Sequence, residues 1–197
     1  AIIPVHVYGQ PCNTRRIKEL ADKHKLAIIY DAAHAFGVEK CGTSILNEGD
    51  LSVLSFHATK VFNTFEGGAI ISNSIEMKQK IDTLKNFGLQ DETTLQINGL
   101  NGKMSEVQAA MGLLQLKHID KAIEMRKQIS VQYDEGLKTI PGLQQFSTPS
   151  DVTANYSYYA LCINKNCQLT RDEVQRLLAG EKVYARKYFY PALSDFD

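Results

Sequence analysis

The sequence predicts an α/β protein with a mostly parallel sheet, and three observations predict it. Apolar segments of strand length alternate with helical patterns, as in the helix that follows Asn13 and the strand at residues 26–30. That strand is apolar throughout, which is typical of a sheet covered by helices on both faces. Polar residues follow two such strands directly, at the carboxyl ends where open α/β sheets bind ligands.

Local signals define the elements of the first half of the chain. The opening residues read as a buried strand and a turn, and Asn13 is a suitable N-cap for the helix behind it. A long segment rich in Gly and Asn near its end reads as an irregular loop, which in a compact domain is often functional. The predicted strands are at residues 1–7, 26–30, 51–55 and 69–72, the last two antiparallel, with a helix at about 74–85 and the loop at 87–103.

The second half of the chain predicts a long helix and part of a smaller domain. Ser105 and Gln108 form a capping box, and the helix they begin extends to about residue 137. The alternative is two helices broken near residues 117–118. Residues 157–163 read as a strand, and Thr170 with Glu173 forms a second capping box.

Two domains are therefore expected. Residues 1–115 form a large domain that is incomplete at its N-terminal side, and residues 116–197 form a linker helix and part of a small α+β domain. The aromatic segment 184–190 is interpreted as a strand of that small domain, the alternative being that it approaches a bound substrate.

Composition excludes several classes of function. The 197 residues carry no net charge, so neither nucleic acid nor an anionic membrane surface is indicated as a partner. No apolar run approaches the roughly 20 residues of a membrane span. Four cysteines without metal-site spacing indicate reduced thiols and a cytoplasmic protein with no metal. The chain opens inside an apolar strand with no leader, and we expect the parent protein to be longer.

The residues at the strand ends point to pyridoxal phosphate (PLP) chemistry. Asp31 ends one predicted strand, Ser55 ends another, and Lys60 follows five residues later. PLP enzymes need a lysine to form the Schiff base and a carboxylate to keep the pyridine nitrogen protonated. Ser55 and the turn after it offer donors to a phosphate. His34 is placed to bind the cofactor's ring oxygen, although a purely structural role is equally open. A lone lysine or aspartate would read as a solvated loop residue, but the combination is specific.

Several ordered motifs resemble one family. Asp-Ala-Ala-His-Ala-Phe-Gly at residues 31–37, Ser-Phe-His-Ala-Thr-Lys at 55–60 and Glu-Gly-Gly-Ala at 66–69 resemble the DegT/DnrJ/EryC1/StrS family of PLP-dependent sugar aminotransferases. Segments 4–11 and 99–110 are similar to further motifs of that family. The resemblance covers nearly the whole chain. It implies the three-layer αβα large domain of fold type I, with part of the small C-terminal domain.

The resemblance also implies roles for individual residues. Lys60 would form the Schiff base, Asp31 would pair with the pyridinium nitrogen, and Ser55 would bind the cofactor phosphate. His34 stands where many members have Gln and would contact the ring hydroxyl. Two further cofactor-binding residues would be Ala33 and Asn101, the latter reaching the phosphate of the neighbouring subunit in a homodimer with shared active sites.

The implied reaction moves an amino group from glutamate to a keto carbon of a nucleotide-linked deoxysugar. The form of the lysine motif resembles members acting on dTDP-4-keto-6-deoxyglucose, and a 3-keto sugar is the alternative. Known dehydratases on this scaffold replace the lysine with His, so Lys60 favours transamination over that rival. A non-catalytic relative on the same fold is a further alternative. The chain departs from the family at Phe65, where Gly is usual, and at Lys103, where Arg is common.

Overall fold

The computed structural model describes residues 1–196, which form two compact units. The first unit comprises Ala1–Gln132 and Ser147–Tyr159, and the second comprises residues 133–146 and those from 160 onward. The first unit holds every residue that the sequence predicts to carry chemistry. The division predicted near residue 115 concerns the domains of the full-length protein and stays a prediction.

Helices begin where the sequence supplies a cap. Four of them follow a Ser, Thr or Asn whose side-chain oxygen accepts a backbone N–H of the first turn. Both predicted capping boxes, at Ser105 and at Thr170, are confirmed. The helices are α1 (Thr14–His24), α2 (Ile75–Lys85), α3 (Glu106–Leu116), α4 (Ile119–Leu137) and α5 (Arg171–Gly180).

The long helix expected after Ser105 is broken into α3 and α4, so the two-helix alternative is correct. At the break, the Lys117 and His118 N–H groups donate to carbonyls three residues back, at 3.1 and 2.9 Å. Such bonds tighten the last turn and end the α-helical ladder. Ile119 follows the break and is buried in the main apolar core.

The central sheet consists of Ile29–Asp31 (β1), Leu51–Ser55 (β4) and Gly68–Ser72 (β5), in the order β1-β4-β5. Its first pair is parallel and its second antiparallel, as the sequence predicts for the strands at 51–55 and 69–72. Ile2 and Val5 add isolated parallel bridges to the segment that contains β1. The strands are β1 (Ile29–Asp31), β2 (Glu39–Lys40), β3 (Thr43–Ser44), β4 (Leu51–Ser55), β5 (Gly68–Ser72), β6 (Leu143–Gln145), β7 (Val152–Thr153) and β8 (Leu161–Ile163). The α/β class with a parallel sheet is confirmed.

Four expected strands are wrong in whole or in part. The strand expected at 26–30 is reduced to Ile29–Asp31, with an isolated bridge at Ile28. Residues 1–7 make only isolated bridges before a 3-10 turn, and the strand expected at 157–163 is reduced to Leu161–Ile163. The aromatic segment 184–190 is not a strand, and Tyr184 and Tyr190 are exposed. Apolar and aromatic residues favour strands only where a neighbouring strand can pair with them, which local sequence does not reveal.

Alternation along the strands gives the sheet two different faces. Tyr30, Ser52 and Leu54 are buried on one face, and Leu54 packs in the main core with Phe56 and Phe62. Residues between them in the sequence point to the opposite face, because side chains alternate along a strand. This second face carries Asp31 and Ser55.

Candidate active site

Asp31 and Ser55 lie on adjacent parallel strands, at the same edge of the sheet. Asp31 is the last residue of β1 and is in register with Val53 of β4. Ser55 is the last residue of β4 and follows Val53 by two positions, so it shares the face of Val53 and Asp31. The topology therefore places these two polar groups on one face, at the carboxyl ends of adjacent strands.

The Asp31 carboxylate is oriented by its own backbone surroundings. The Asp31 N–H donates to the Pro4 carbonyl at 2.9 Å, and the Asp31 carbonyl accepts from the His6 N–H at 3.0 Å. The Ala33 N–H donates to Oδ1 of Asp31 at 3.0 Å. The structure thus places Ala33 beside Asp31, where its amide occupies Oδ1 and leaves Oδ2 for another partner.

Lys60 lies at the end of a tight turn that begins at Ser55. Oγ of Ser55 accepts from the His57 N–H at 3.3 Å, and the Lys60 N–H donates to the His57 carbonyl at 2.9 Å. Nδ1 of His57 accepts from the Thr59 N–H at 3.1 Å. Lys60 itself is partly buried. These hydrogen bonds hold the turn in one conformation. Lys60 therefore leaves the backbone at a defined position relative to the Ser55 hydroxyl.

Strand β5, which pairs antiparallel with β4, begins with a glycine because no side chain fits at that position. A Cβ added to Gly68 would lie 2.6 Å from the carbonyl oxygen of Leu54 on β4. The Phe56 N–H donates to the Gly67 carbonyl at 2.8 Å and so closes the ladder beside the lysine turn. Phe65, which stands where the family usually has Gly, adopts φ 65°, and its side chain is exposed.

His34 lies within electrostatic reach of both predicted catalytic groups. Burial and the positive charge of Lys60 lower the pKa of His34, while the Asp31 carboxylate opposes them. Nδ1 of His34 accepts from the Tyr8 N–H at 3.0 Å. His34, Lys60 and Asp31 therefore belong to one cluster, and the imidazole is neutral at physiological pH.

Asn101 lies in the loop at residues 87–103. It forms an isolated antiparallel bridge with Asn86 at the end of α2, and it is exposed. Nζ of Lys103 donates to Oδ1 of Asn86 at 3.1 Å and lies 4.1 Å from the centre of the Phe87 ring. The predicted contact of Asn101 with a neighbouring subunit's cofactor stays a prediction.

Sequence reasoning missed His6, which is fully buried behind Asp31. Its ring stacks on Tyr30 with centroids 4.5 Å apart, and its Nδ1 accepts from the Cys12 N–H at 3.0 Å. Burial lowers the pKa of His6 to about 4, against a smaller opposing effect of the Asp31 carboxylate. The position of His6 directly before the turn at residues 7–9 is the one local signal that could have drawn attention to it.

Asn155 and Tyr158 were missed because they come from the far end of the first unit. The Asn155 amide donates to the carbonyl oxygens of His34 and Phe36, both at 2.8 Å. The Tyr158 ring lies 4.5 Å from the His34 ring, between centroids. No motif near residue 155 indicates these contacts.

The donor set fits PLP. A carboxylate ends β1 and a hydroxyl ends β4 on the same face, and the charges of Asp31 and Lys60 both act on the His34 imidazole. PLP enzymes need a carboxylate for the pyridine nitrogen and a lysine for the aldehyde, and a hydroxyl at the start of a turn suits a phosphate. Among residues 1–196, no group of three or more His, Cys, Asp or Glu is placed to hold a metal ion. Fold and site together define the class of PLP-dependent enzymes with an α/β large domain.

The chain belongs to the DegT/DnrJ/EryC1/StrS aminotransferase family, which it matches over residues 1–196. It is 53% identical over its full length to a dTDP-4-amino-4,6-dideoxy-D-glucose transaminase of Shigella dysenteriae. It is 45% identical over 99% of its length to the protein of the same description in Escherichia coli. The resemblance read from the motifs is confirmed.

Solved structures agree with this assignment. The crystal structure of DesI in the presence of its TDP-sugar product superposes with a TM-score of 0.91 at 35% identity, over 97% of this chain and 49% of that one. The Streptomyces venezuelae DesV complex with a ketimine intermediate gives 0.82 at 29% identity, over 91% of this chain and 47% of that one. The chain spans 53% of the length of each curated relative named above. Within residues 1–196, no helix combines the length and apolarity needed to cross a membrane.

Proposed function

We propose that the full-length protein is a PLP-dependent aminotransferase that moves an amino group from glutamate to the keto carbon of a nucleotide-linked deoxysugar. The substrate we favour is dTDP-4-keto-6-deoxyglucose, because two relatives at 53% and 45% identity are described as transaminases of the matching 4-amino sugar. The four cysteines are all free, which supports a cytoplasmic location.

The observation that carries the proposal is the convergence of four groups at one sheet edge. Asp31 and Ser55 share a face on adjacent strands, and the charges of Lys60 and Asp31 both act on His34. Packing alone does not require an amine, a carboxylate and an imidazole together, since buried charges are costly unless they are used or paired. Their presence together therefore supports catalysis over a non-catalytic relative.

Each residue has a proposed role in holding the cofactor. Oδ2 of Asp31 would pair with the protonated pyridine nitrogen, while Ala33 holds Oδ1. Ser55 and the backbone of the turn after it would bind the phosphate, and His34 would bind the ring oxygen. When bound, PLP supplies an electron sink for the carbanion formed on loss of the α-proton.

Lys60 would attach the cofactor covalently and, once released, would carry the substrate's α-proton as a general base. Lys60 is partly buried at the end of the turn that begins at Ser55. From this backbone position the Lys60 side chain would reach the cofactor. The turn is held by hydrogen bonds of its own backbone, so the amine moves while its anchor stays in place.

The decisive experiment measures visible absorbance and transamination by the full-length protein with PLP. Lys60→Ala is expected to abolish the lysine-dependent absorbance band and to lower kcat by at least about a thousandfold, because nucleophile and base are lost together. Lys23→Ala, an exposed lysine on α1, is the matched control and should leave both unchanged. If the absorbance band of the wild type persists in Lys60→Ala, the assignment of Lys60 is overturned.

Substrate class is tested by supplying glutamate with each keto sugar nucleotide in turn. Amino transfer to dTDP-4-keto-6-deoxyglucose at a kcat/KM well above that for a 3-keto isomer is expected. The opposite preference would assign the protein to the 3-keto alternative. The absence of transfer to either substrate, with PLP bound through Lys60, would refute the sugar assignment.

We also propose that the protein acts as a homodimer in which Asn101 serves the neighbouring active site. Support comes from exposed apolar side chains on α3, close in sequence to Asn101: Val107 is 74% exposed and Leu113 66%. Exposed apolar patches of this kind are typical of interaction surfaces. Molar mass in solution, measured on the full-length protein and on a Leu113→Glu variant, tests this assembly: a dimer that the variant weakens is expected.

A further inference from the structure

The ring of His34 is held in one protonation form by a backbone amide. Its Nδ1 accepts a hydrogen bond from the Tyr8 N–H, with a nitrogen–nitrogen distance of 3.0 Å. A ring nitrogen that accepts such a bond carries no proton, so in the neutral imidazole the proton is on Nε2. His34 therefore presents a donor at Nε2 rather than an acceptor.

The segment that delivers this amide is strained and tightly packed. Tyr8 adopts φ 58 and ψ 15, a left-handed conformation that costs a non-glycine residue about 1 kcal/mol or more. Gly9 follows at φ 81, and a Cβ at this position would lie 2.9 Å from the His34 carbonyl oxygen. The turn is therefore packed directly on the His34 backbone, where no larger residue fits. Backbone strain of this kind is found preferentially at functional sites.

A second constraint on His34 comes from the other end of the first unit. Asn155 is 1% exposed, and its amide nitrogen donates to the carbonyl oxygens of His34 and Phe36. Its Oδ1 accepts from the Ser157 N–H at 3.0 Å. All three bonds satisfy buried polar groups, so the backbone of His34 is fixed while Tyr8 fixes its ring.

We propose that the Tyr8 amide and Asn155 are positioning groups that keep His34 as an Nε2–H donor toward the ring oxygen of the cofactor. This inference rests on the proposed function and deepens it. A glutamine amide nitrogen at this position is always a donor, whereas a histidine nitrogen donates or accepts according to its tautomer. A chain with His at this position therefore needs a device that sets the tautomer, and the Tyr8 amide provides it.

The first test reads the tautomer directly. The full-length protein is labelled with ¹⁵N-histidine, and the His34 signals are identified by their loss in His34→Gln. At neutral pH and without PLP, an unprotonated Nδ1 and a protonated Nε2 are expected. A proton on Nδ1, or a doubly protonated ring, would overturn the proposal. This readout does not depend on cofactor binding or turnover, so it is decided separately from the proposed function.

The second test asks whether Tyr8 acts through His34. Proline cannot adopt the positive φ of Tyr8, so the donor is removed instead by replacing Tyr8 with its α-hydroxy acid analogue, which turns the amide into an ester and keeps the side chain. We expect this ester to weaken PLP binding about tenfold, the equivalent of one lost hydrogen bond. In the His34→Gln background, the same ester should change the PLP dissociation constant less than about twofold, because the glutamine amide needs no tautomer control.

Equal weakening by the Tyr8 ester in both backgrounds would show a merely structural role and overturn the proposal. Far-ultraviolet circular dichroism and Tm establish that each variant is folded. If the ester variant does not fold, the tautomer measured in the wild-type protein still decides whether the amide sets the donor at Nε2.

Discussion

Two asparagines, one that we propose to position His34 and one that we propose to serve a neighbouring active site, have opposite environments. Asn155 is buried beneath His34 and donates to two backbone carbonyls, whereas Asn101 is exposed in the loop at residues 87–103. The difference extends to their surroundings: the segment from Asp31 to His34 is held from several directions, but Leu95 and Leu100 in the loop are 62% and 65% exposed. The strand-end half of the site is built within this chain, and we expect the loop to acquire its final environment from another surface.

The largest effect is expected from a substitution that destabilises the strand-end region, defined as the segment from Asp31 to His34 and its supporting contacts. Asn155→Ala leaves the His34 and Phe36 carbonyl oxygens without their buried donor, and each such group costs about 1–3 kcal/mol. We expect the free energy of unfolding of the full-length protein, measured by denaturant titration, to fall by about 3 kcal/mol.

Asn101→Ala is the matched control for this change. Its side chain is exposed, so the free energy of unfolding should stay within about 0.5 kcal/mol of wild type. If Asn101 contacts the partner's phosphate as proposed, the same variant weakens PLP binding. A large loss of stability from Asn101→Ala, or none from Asn155→Ala, would contradict the contrast between the two regions.

The same contrast explains what the sequence could predict. Helix caps at Asn13, Ser105 and Thr170 are local, because the side chain and its backbone partner lie three residues apart. Asp31 and Ser55 were also predictable, because the carboxyl ends of parallel strands share an edge.

The supporting contacts were not predictable, because they join distant parts of the chain. Asn155 and His34 are 121 positions apart, and no periodic pattern marks either partner. The pairing of β2 with β7 joins strands of only two residues, too short to leave a hydrophobic alternation. The ring of His6 likewise stacks on Tyr30, which lies on β1, outside the local sequence of His6.

An intermediate effect is expected from His6, which stabilises the strand-end region only when neutral. Its pKa is lowered to about 4 in the folded protein, against 6.5 for the ordinary group, so the unfolded chain binds the extra proton between these values. Its contribution to the free energy of unfolding is therefore constant above pH 6.5 and declines as the pH falls. Between pH 7.5 and pH 5 the decline is about 2 kcal/mol.

Denaturant titrations at the two pH values measure this decline in the wild type and in His6→Phe. The phenylalanine keeps a ring against Tyr30 but cannot titrate, so its pH dependence should be smaller by about 2 kcal/mol. A His24→Phe variant is the control, because His24 is exposed at the end of α1. Equal pH dependence in wild type and His6→Phe would show that His6 is not the titrating group.

The smallest expected effect compares two phenylalanines in left-handed conformations, one in each region. Phe65 lies between the lysine turn and β5 with φ 65, and Phe87 lies in the loop with φ 61. Glycine adopts this conformation freely, so Phe65→Gly should raise the free energy of unfolding by about 1 kcal/mol, since the exposed ring loses little packing.

Phe87→Gly relieves the same strain but removes the ring that Lys103 covers at 4.1 Å, a contact worth about 0.5–1 kcal/mol at an exposed site. Its net gain should therefore be close to zero. Thermal denaturation of both variants measures the two changes in stability. A larger gain in stability for Phe65→Gly than for Phe87→Gly would show that no side-chain contact offsets the backbone strain beside the lysine turn. Equal gains would mean that the contact between Lys103 and Phe87 contributes nothing to stability. The two regions would then differ in burial, but not in how backbone strain is offset.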